Sequence, residues 1–227
     1  MKKILSALTM LLLALSAHAD GTILFSTAQG GIDVAPYRIP GITCGYGGRL
    51  IASVGRLVCG TDPGFGRVDC VVKISTDNGA TWSEREIEAA VGDASLINNV
   101  KTPMAAAYGD PAIVMDRESH EVLMMAVAGC TVYGYASTNR HNPNLIAAIR
   151  SMDGGLTWQQ PIEQTEAIYG LFDQTHPIDA AFVGGGKIFQ SRVVKVGRYY
   201  RIYAALTARP KGNRVIYSDD FGRTWAA

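Results

Sequence analysis

An all-β chain of consecutive small antiparallel sheets, the plan of a β-propeller, is the fold class predicted for this sequence of 227 residues. Three observations predict it. The pattern Ser-x-Asp-x-Gly-x-Thr-Trp occurs three times without gaps, as STDNGATW at 75–82, SMDGGLTW at 151–158 and SDDFGRTW at 218–225, with starts 76 and then 67 residues apart. Each copy is entered through an apolar run of strand length, DCVVKIS, LIAAIRS or NRVIYSD. Between copies the chain keeps to strand-like runs (RLIASVGRLV, PAIVMDRESHEVLMMAVAG and RYYRIYAALTARP), with no convincing amphipathic helix. Many short strands at repeated spacing, with one tryptophan motif per unit, read as a propeller.

Taken in order, the first element is not part of the fold. MKKILSALTMLLLALSAHA, residues 1–19, has two lysines, an apolar run from Ile4 to Leu15 and a small-x-small end at Ala17-His18-Ala19. That is the form of a secretory signal peptide, and its apolar run is too short for a comfortable membrane span. The folded domain is therefore expected over 20–227, exported to the periplasm or beyond, without stable membrane insertion after cleavage. Without Lys2 and Lys3 the charges are 19 basic against 20 acidic, so no basic surface for a nucleic acid is expected. Export permits disulfides among Cys44, Cys59, Cys70 and Cys130, in any of three pairings, and free core thiols are as natural a reading. Their spacing matches no zinc pattern, and neither a metal nor a cofactor is expected.

The repeat itself is turn chemistry. Asp77, Asp153 and Asp220 can accept hydrogen bonds from the backbone of their own loops, as short acidic side chains do in Asx-turns. Gly79, Gly155 and Gly222 permit positive φ, and Thr-Trp opens the next strand. Every fixed position has a structural reason, so these aspartates are read as structural. His120, His141 and His176 show no ligand spacing, and VGGGK (183–187) lacks Walker spacing and reads as a hairpin turn. Glu163, Glu166 and Asp173 fall in a long connection without a distinctive pattern.

The chemistry lies earlier. VAPYRIPGIT, 34–43, sets Arg38 inside a strand, where a guanidinium calls for an anion. About 20 residues on, GRLVCGTDPGFGRVD raises Asp62 on a glycine-rich loop that can project a carboxyl over a cleft.

Here the sequence resembles a family. The three repeats are similar to the Asp boxes (BNR repeats) of bacterial-type sialidases, YRIP resembles the Phe/Tyr-Arg-Ile-Pro motif that opens the sialidase domain, and the following loop resembles the family's Gly-Arg…Asp loop. The likeness runs over the whole mature chain. It implies a six-bladed propeller of which about three to four blades are present, at about 40–50 residues per blade. It implies that Arg38 is one of three arginines clamping the carboxylate of sialic acid, in a two-pronged hydrogen bond. Asp62 matches the acid/base aspartate. Arg56 matches a second arginine near the sugar ring, although Val54 stands where the family often has a glutamate, and Asp110 resembles an aspartate lining the same pocket. The plain alternatives are a structural ion pair for Arg38 and turn roles for Asp62 and Asp110, each of which precedes a proline.

The function so implied is retaining hydrolysis of terminal α-linked sialic acid from glycoproteins, glycolipids and oligosaccharides. The family's tyrosine nucleophile, its activating glutamate and its other carboxylate arginines have no match here, so the chain is expected to be an N-terminal portion, inactive alone. A secreted, non-catalytic Asp-box propeller that binds glycans or acts as a scaffold is the alternative; the joint presence of Arg38 and Asp62 argues against it. An enzyme acting on another uronic or keto acid would use the same arginine.

Overall fold

The computed structural model describes residues 21–27, 36–97, 103–210 and 212–227; the expected signal peptide at 1–19 lies outside them. The described chain is all-β apart from short helical turns. β1 (Tyr37–Cys44), β2 (Leu50–Arg56), β3 (Asp69–Ser75) and β4 (Ile87–Ala90) form a first antiparallel meander. β5 (Tyr108–Met115), β6 (Val122–Ala128), β7 (Leu145–Ser151) and β8 (Ile162–Glu163) form a second. In the third sheet β9 (Ala180–Val183) and β11 (Phe189–Val196) both pair with β12 (Tyr199–Arg209), which pairs with β13 (Arg214–Ser218). A bridge from Tyr217 to Ala226 begins one strand more.

The three sheets stack face to face, and the second lies between the others. Ile51, Val72 and Ile74 of the first sheet meet Ile113, Met115, Met124 and Ile149 of the second. Leu123, Met125 and Ile146 face Ile202, Leu206, Ile216 and Phe221 of the third. This placement explains VLMMAVA in β6, where every residue is buried. A strand covered on both faces has no polar side to alternate with. In β12, which covers the second sheet on one face only, buried positions alternate with half-buried Tyr203 and exposed Ala205.

The three repeats sit at the turns that follow β3, β7 and β13. Their bonding is the same in each. The serine hydroxyl donates to the aspartate (2.8, 2.8 and 2.7 Å) and accepts from the glycine N–H (2.8, 2.8 and 2.7 Å). The aspartate accepts from the threonine N–H and hydroxyl, the latter at 2.6 Å in every copy. The glycines have φ of 91°, 90° and 79° and lie against the tryptophan ring of their own box. A side chain there would meet both a left-handed backbone and an indole.

These bonds hold the box carboxyls below the usual aspartate range. Asp77 is pulled down to about 2, by Thr81 first and then by Ser75. At Asp153 burial pushes upward, and the bonds from Thr157 and Ser151 outweigh it. A carboxyl lowered in the folded state stabilises the fold fully above its unfolded value of about 3.9, and that contribution fades as pH falls toward about 2. Thermal unfolding followed between pH 5 and pH 2 should therefore show a falling Tm, and Asp77→Asn should flatten part of that fall.

Two expectations are corrected. VGGGK is no hairpin turn. Gly186 and Lys187 form a short strand, β10, parallel to β5, which carries the chain from β9 to β11 across the inner edge of the second sheet. A Cβ on Gly185 would overlap Ile39, and a Cβ on Gly41 would overlap the Gly186 carbonyl, so glycine is needed for close approach. The connection after the second box holds a one-turn helix, α1 (Thr165–Tyr169), with Ile168 and Tyr169 fully buried. Arg140 clamps Glu166 at 2.8 Å and Asp173 at 3.0 Å beside it.

Candidate active site

The site forms where β1, β5 and the β2–β3 loop meet, at the end of the sheets opposite the Asp boxes. Arg56 pairs with Asp69 at one end of β2–β3 and Leu50 with Ser75 at the other, so about 20 Å of strand separates them.

β1 does not keep simple alternation through the motif. Its register on β2 shifts between Arg38 and Gly41, and Ile39 takes a φ of 53°. β5 repeats the device: its register on β6 shifts between Gly109 and Ala112, and Asp110 has a φ of 50°. In both strands a bulge residue precedes a proline, and such bulges re-aim side chains. Here they turn Arg38 and Asp110 toward the same loop.

That loop runs from Leu57 to Val68 and carries Asp62, whose carboxylate accepts a hydrogen bond from Arg38 Nη1. The pair is open to solvent, with side chains 49% and 57% exposed. Asp110 completes the group. Burial, then the charge of Asp62, push its carboxyl above the usual range, and Arg38 partly counters them. Pro63 seats on Gly109, where a Cβ would overlap its ring, so the loop rests directly on β5.

Asp62 and Asp110 open into a cavity of about 250 Å³ walled by Phe65, Tyr133 and Phe182. Tyr133 and Phe182 meet edge to face at 4.9 Å, and the Arg209 guanidinium lies 5.1 Å from the Tyr133 ring centre. Asn144, 1% exposed, lines the cavity; its amide donates to Thr131 O at 2.6 Å while its Oδ1 lacks a donor.

Arg56 stands apart from the cavity. It donates to Asp69 Oδ2 at 2.8 Å, Glu88 at 2.7 Å and Glu86 at 3.3 Å, and this acidic company raises its pKa further. Tyr37 donates to the other oxygen of Glu86 at 2.5 Å. Asp69, which sequence reasoning did not single out, is the centre of this group. Its carboxylate is fully buried and accepts from Arg56, from Arg67 at 2.9 Å and from the Gly92 N–H at 2.9 Å. Arg56 and Arg67 stand at the two ends of the Asp62 loop, so one buried carboxylate fastens its base. The signal was present as GRVD, the end of the stretch that carries Asp62. The three box aspartates lie in none of these contacts.

Known proteins resemble this chain in repeat, sequence and fold. The model of the BNR/Asp-box repeat matches residues 73–84 and 216–227. A sialidase of Micromonospora viridifaciens is 30% identical over 200 residues, covering 84% of this chain and 28% of its own length. Among solved structures, the Hadza microbial sialidase Hz136 superposes with a TM-score of 0.65 at 25% identity, over 84% of this chain and 36% of its own. The leech intramolecular trans-sialidase has the same fold, with a TM-score of 0.64 at 17% identity over 96% of this chain and 47% of its own. The chain thus spans less than a third of the length of the relative it matches in sequence. Repeat, sequence and fold agree that it belongs to the bacterial-type sialidase family with BNR/Asp-box repeats.

Proposed function

We propose that this chain carries the acid/base group and one carboxylate-binding arginine of an exported exo-α-sialidase, which removes terminal α-linked sialic acid with retention. Its three sheets are then consecutive blades of a six-bladed propeller. The observation that carries the proposal is the open Arg38–Asp62 pair beside Asp110. An exposed ion pair contributes little to stability. A guanidinium kept at a cavity mouth, with a carboxylate that can be exchanged for a ligand's, makes a receptor for an acidic sugar.

Sialic acid carries its carboxylate on the anomeric carbon, so Arg38 and Asp62 have neighbouring tasks. Arg38 holds the substrate carboxylate. Asp62 gives its proton to the glycosidic oxygen as the C–O bond breaks, then takes a proton from the attacking water. The aromatic walls and the open Asn144 Oδ1 suit an apolar-ended substituent that bears an N–H. Arg56, held by three carboxylates, orders the base of the loop and reaches a ring hydroxyl only by leaving one of them.

Sialidases use a tyrosine nucleophile. Tyr133 is the phenol at this cavity, and burial pushes its hydroxyl upward more than Arg209 lowers it. A phenol kept neutral is a poor nucleophile. Turnover therefore needs groups beyond those assembled here, and the chain alone should bind without hydrolysing.

Binding has a proton signature. A ligand carboxylate that takes Arg38 removes the one influence that lowers Asp110 and adds negative charge beside two carboxyls. Sialic acid binding should therefore take up a proton on the acid side of neutrality, because the Asp110 carboxyl already lies above the usual aspartate range. Calorimetric titration in two buffers of different ionisation enthalpy measures it. Binding with no proton uptake, or binding unchanged in Arg38→Ala, contradicts the assignment.

A further inference from the structure

The four cysteines are all free thiols in this structure, and two of them approach the same glycine beside the cavity walls. Cys59 lies on the Asp62 loop. Cys130 lies just before Val132 and Tyr133, on the opposite wall. Both are half-buried and pack on the same small cluster of Leu57, Val68 and Ala107. Between them is Gly66, buried and without a side chain. Cys59 Sγ is 3.2 Å from the point where a Cβ on Gly66 would stand, and Cys130 Sγ is 3.9 Å from the Gly66 carbonyl oxygen. Nearby, a Cβ on Gly64 would overlap Val132, so the two loops touch through glycine backbone.

We propose that Cys59 and Cys130 are a matched thiol pair that closes to a reversible disulfide, tying the Asp62 loop to the Tyr133 wall of the cavity. The other two cysteines are unsuited to it. Cys70 is fully buried in β3, its thiol pushed far up by burial, and Cys44 is exposed at the end of β1. Residue 66 carries no side chain to keep the sulfurs apart.

The oxidant is a small-molecule disulfide such as oxidised glutathione. One protein thiolate attacks a sulfur of that disulfide, forming a mixed disulfide and releasing one small thiol. The second protein thiol loses its proton to water and attacks the protein-side sulfur, releasing the second small thiol. Two protein thiols lose two electrons and two protons, and one disulfide becomes two thiols. Burial and the neighbouring Cys59 hold the Cys130 thiol upward, which gives the first attack to Cys59. The closed form holds the two walls at a fixed separation.

Folded protein is incubated with oxidised glutathione, quenched with iodoacetamide and digested without reduction. The expected result is a peptide linking Cys59 to Cys130, with Cys70 unmodified until urea is added and Cys44 carrying glutathione alone. In Cys130→Ser the link should vanish and Cys59 should retain glutathione. Separate glutathione adducts at Cys59 and Cys130 without a link overturn the proposal, as does the same mixture of pairings from folded and urea-unfolded protein. None of these outcomes depends on sialic acid binding or hydrolysis.

Discussion

Asp69→Ala should lower folding stability by about 2–4 kcal/mol, measured by urea unfolding at neutral pH. The carboxylate is fully buried and accepts from two arginines and a backbone N–H. Its removal leaves Arg56 and Arg67 without their common partner and the Gly92 N–H without an acceptor. Breaking a buried pair from one side costs about 3–5 kcal/mol. The lower figure applies because both guanidiniums keep some contact with water, at 23% and 32% exposure. Arg38→Ala, in contrast, should change stability by under about 1 kcal/mol, because its pair with Asp62 is open to solvent. A large stability loss in Arg38→Ala would make that pair a structural bridge and remove the reason for assigning it to a ligand.

The second large effect is on catalysis in a polypeptide extended to the length of its relatives. There Asp62→Ala should lower kcat/KM by about 10²–10⁴ for sialosides with sugar leaving groups, the usual contribution of a positioned general acid. For activated aryl sialosides the loss should be much smaller, because a good leaving group departs without a proton. Equal losses on both substrates would take the acid role from Asp62.

The all-β plan was legible because the box is local. Serine, aspartate, glycine and threonine bond within one turn, so eight consecutive residues contain the full reason for the fold of that turn, and the pattern shows three times. The strands before each box were legible for the same reason. Asp62 and Arg38 stood out through their motifs, and the structure brings them together with Asp110. What sequence did not show depends on contacts between distant segments. Asp69 opens an apolar strand, and nothing in DCVVKIS says that two arginines and Gly92 converge on it. Tyr133, Asn144 and Phe182 reach the cavity from three separate parts of the chain. The five-residue helix at Thr165–Tyr169 is too short for its period to register. Gly184–Gly186 looked like a turn because glycine serves turns and close backbone approach equally well.

Arg38 is expected to act as a receptor for a ligand carboxylate beside Asp62. Titrating the isotope-labelled protein with sialic acid, and in parallel with its methyl ester, tests this by heteronuclear NMR. The expected result is movement of the Arg38 side-chain Nε–H signal and of the Asp62 and Asp110 amides with sialic acid, and a much weaker response to the ester, which has no carboxylate charge. Equal responses to acid and ester, or shifts confined to the Asp-box turns, would contradict it.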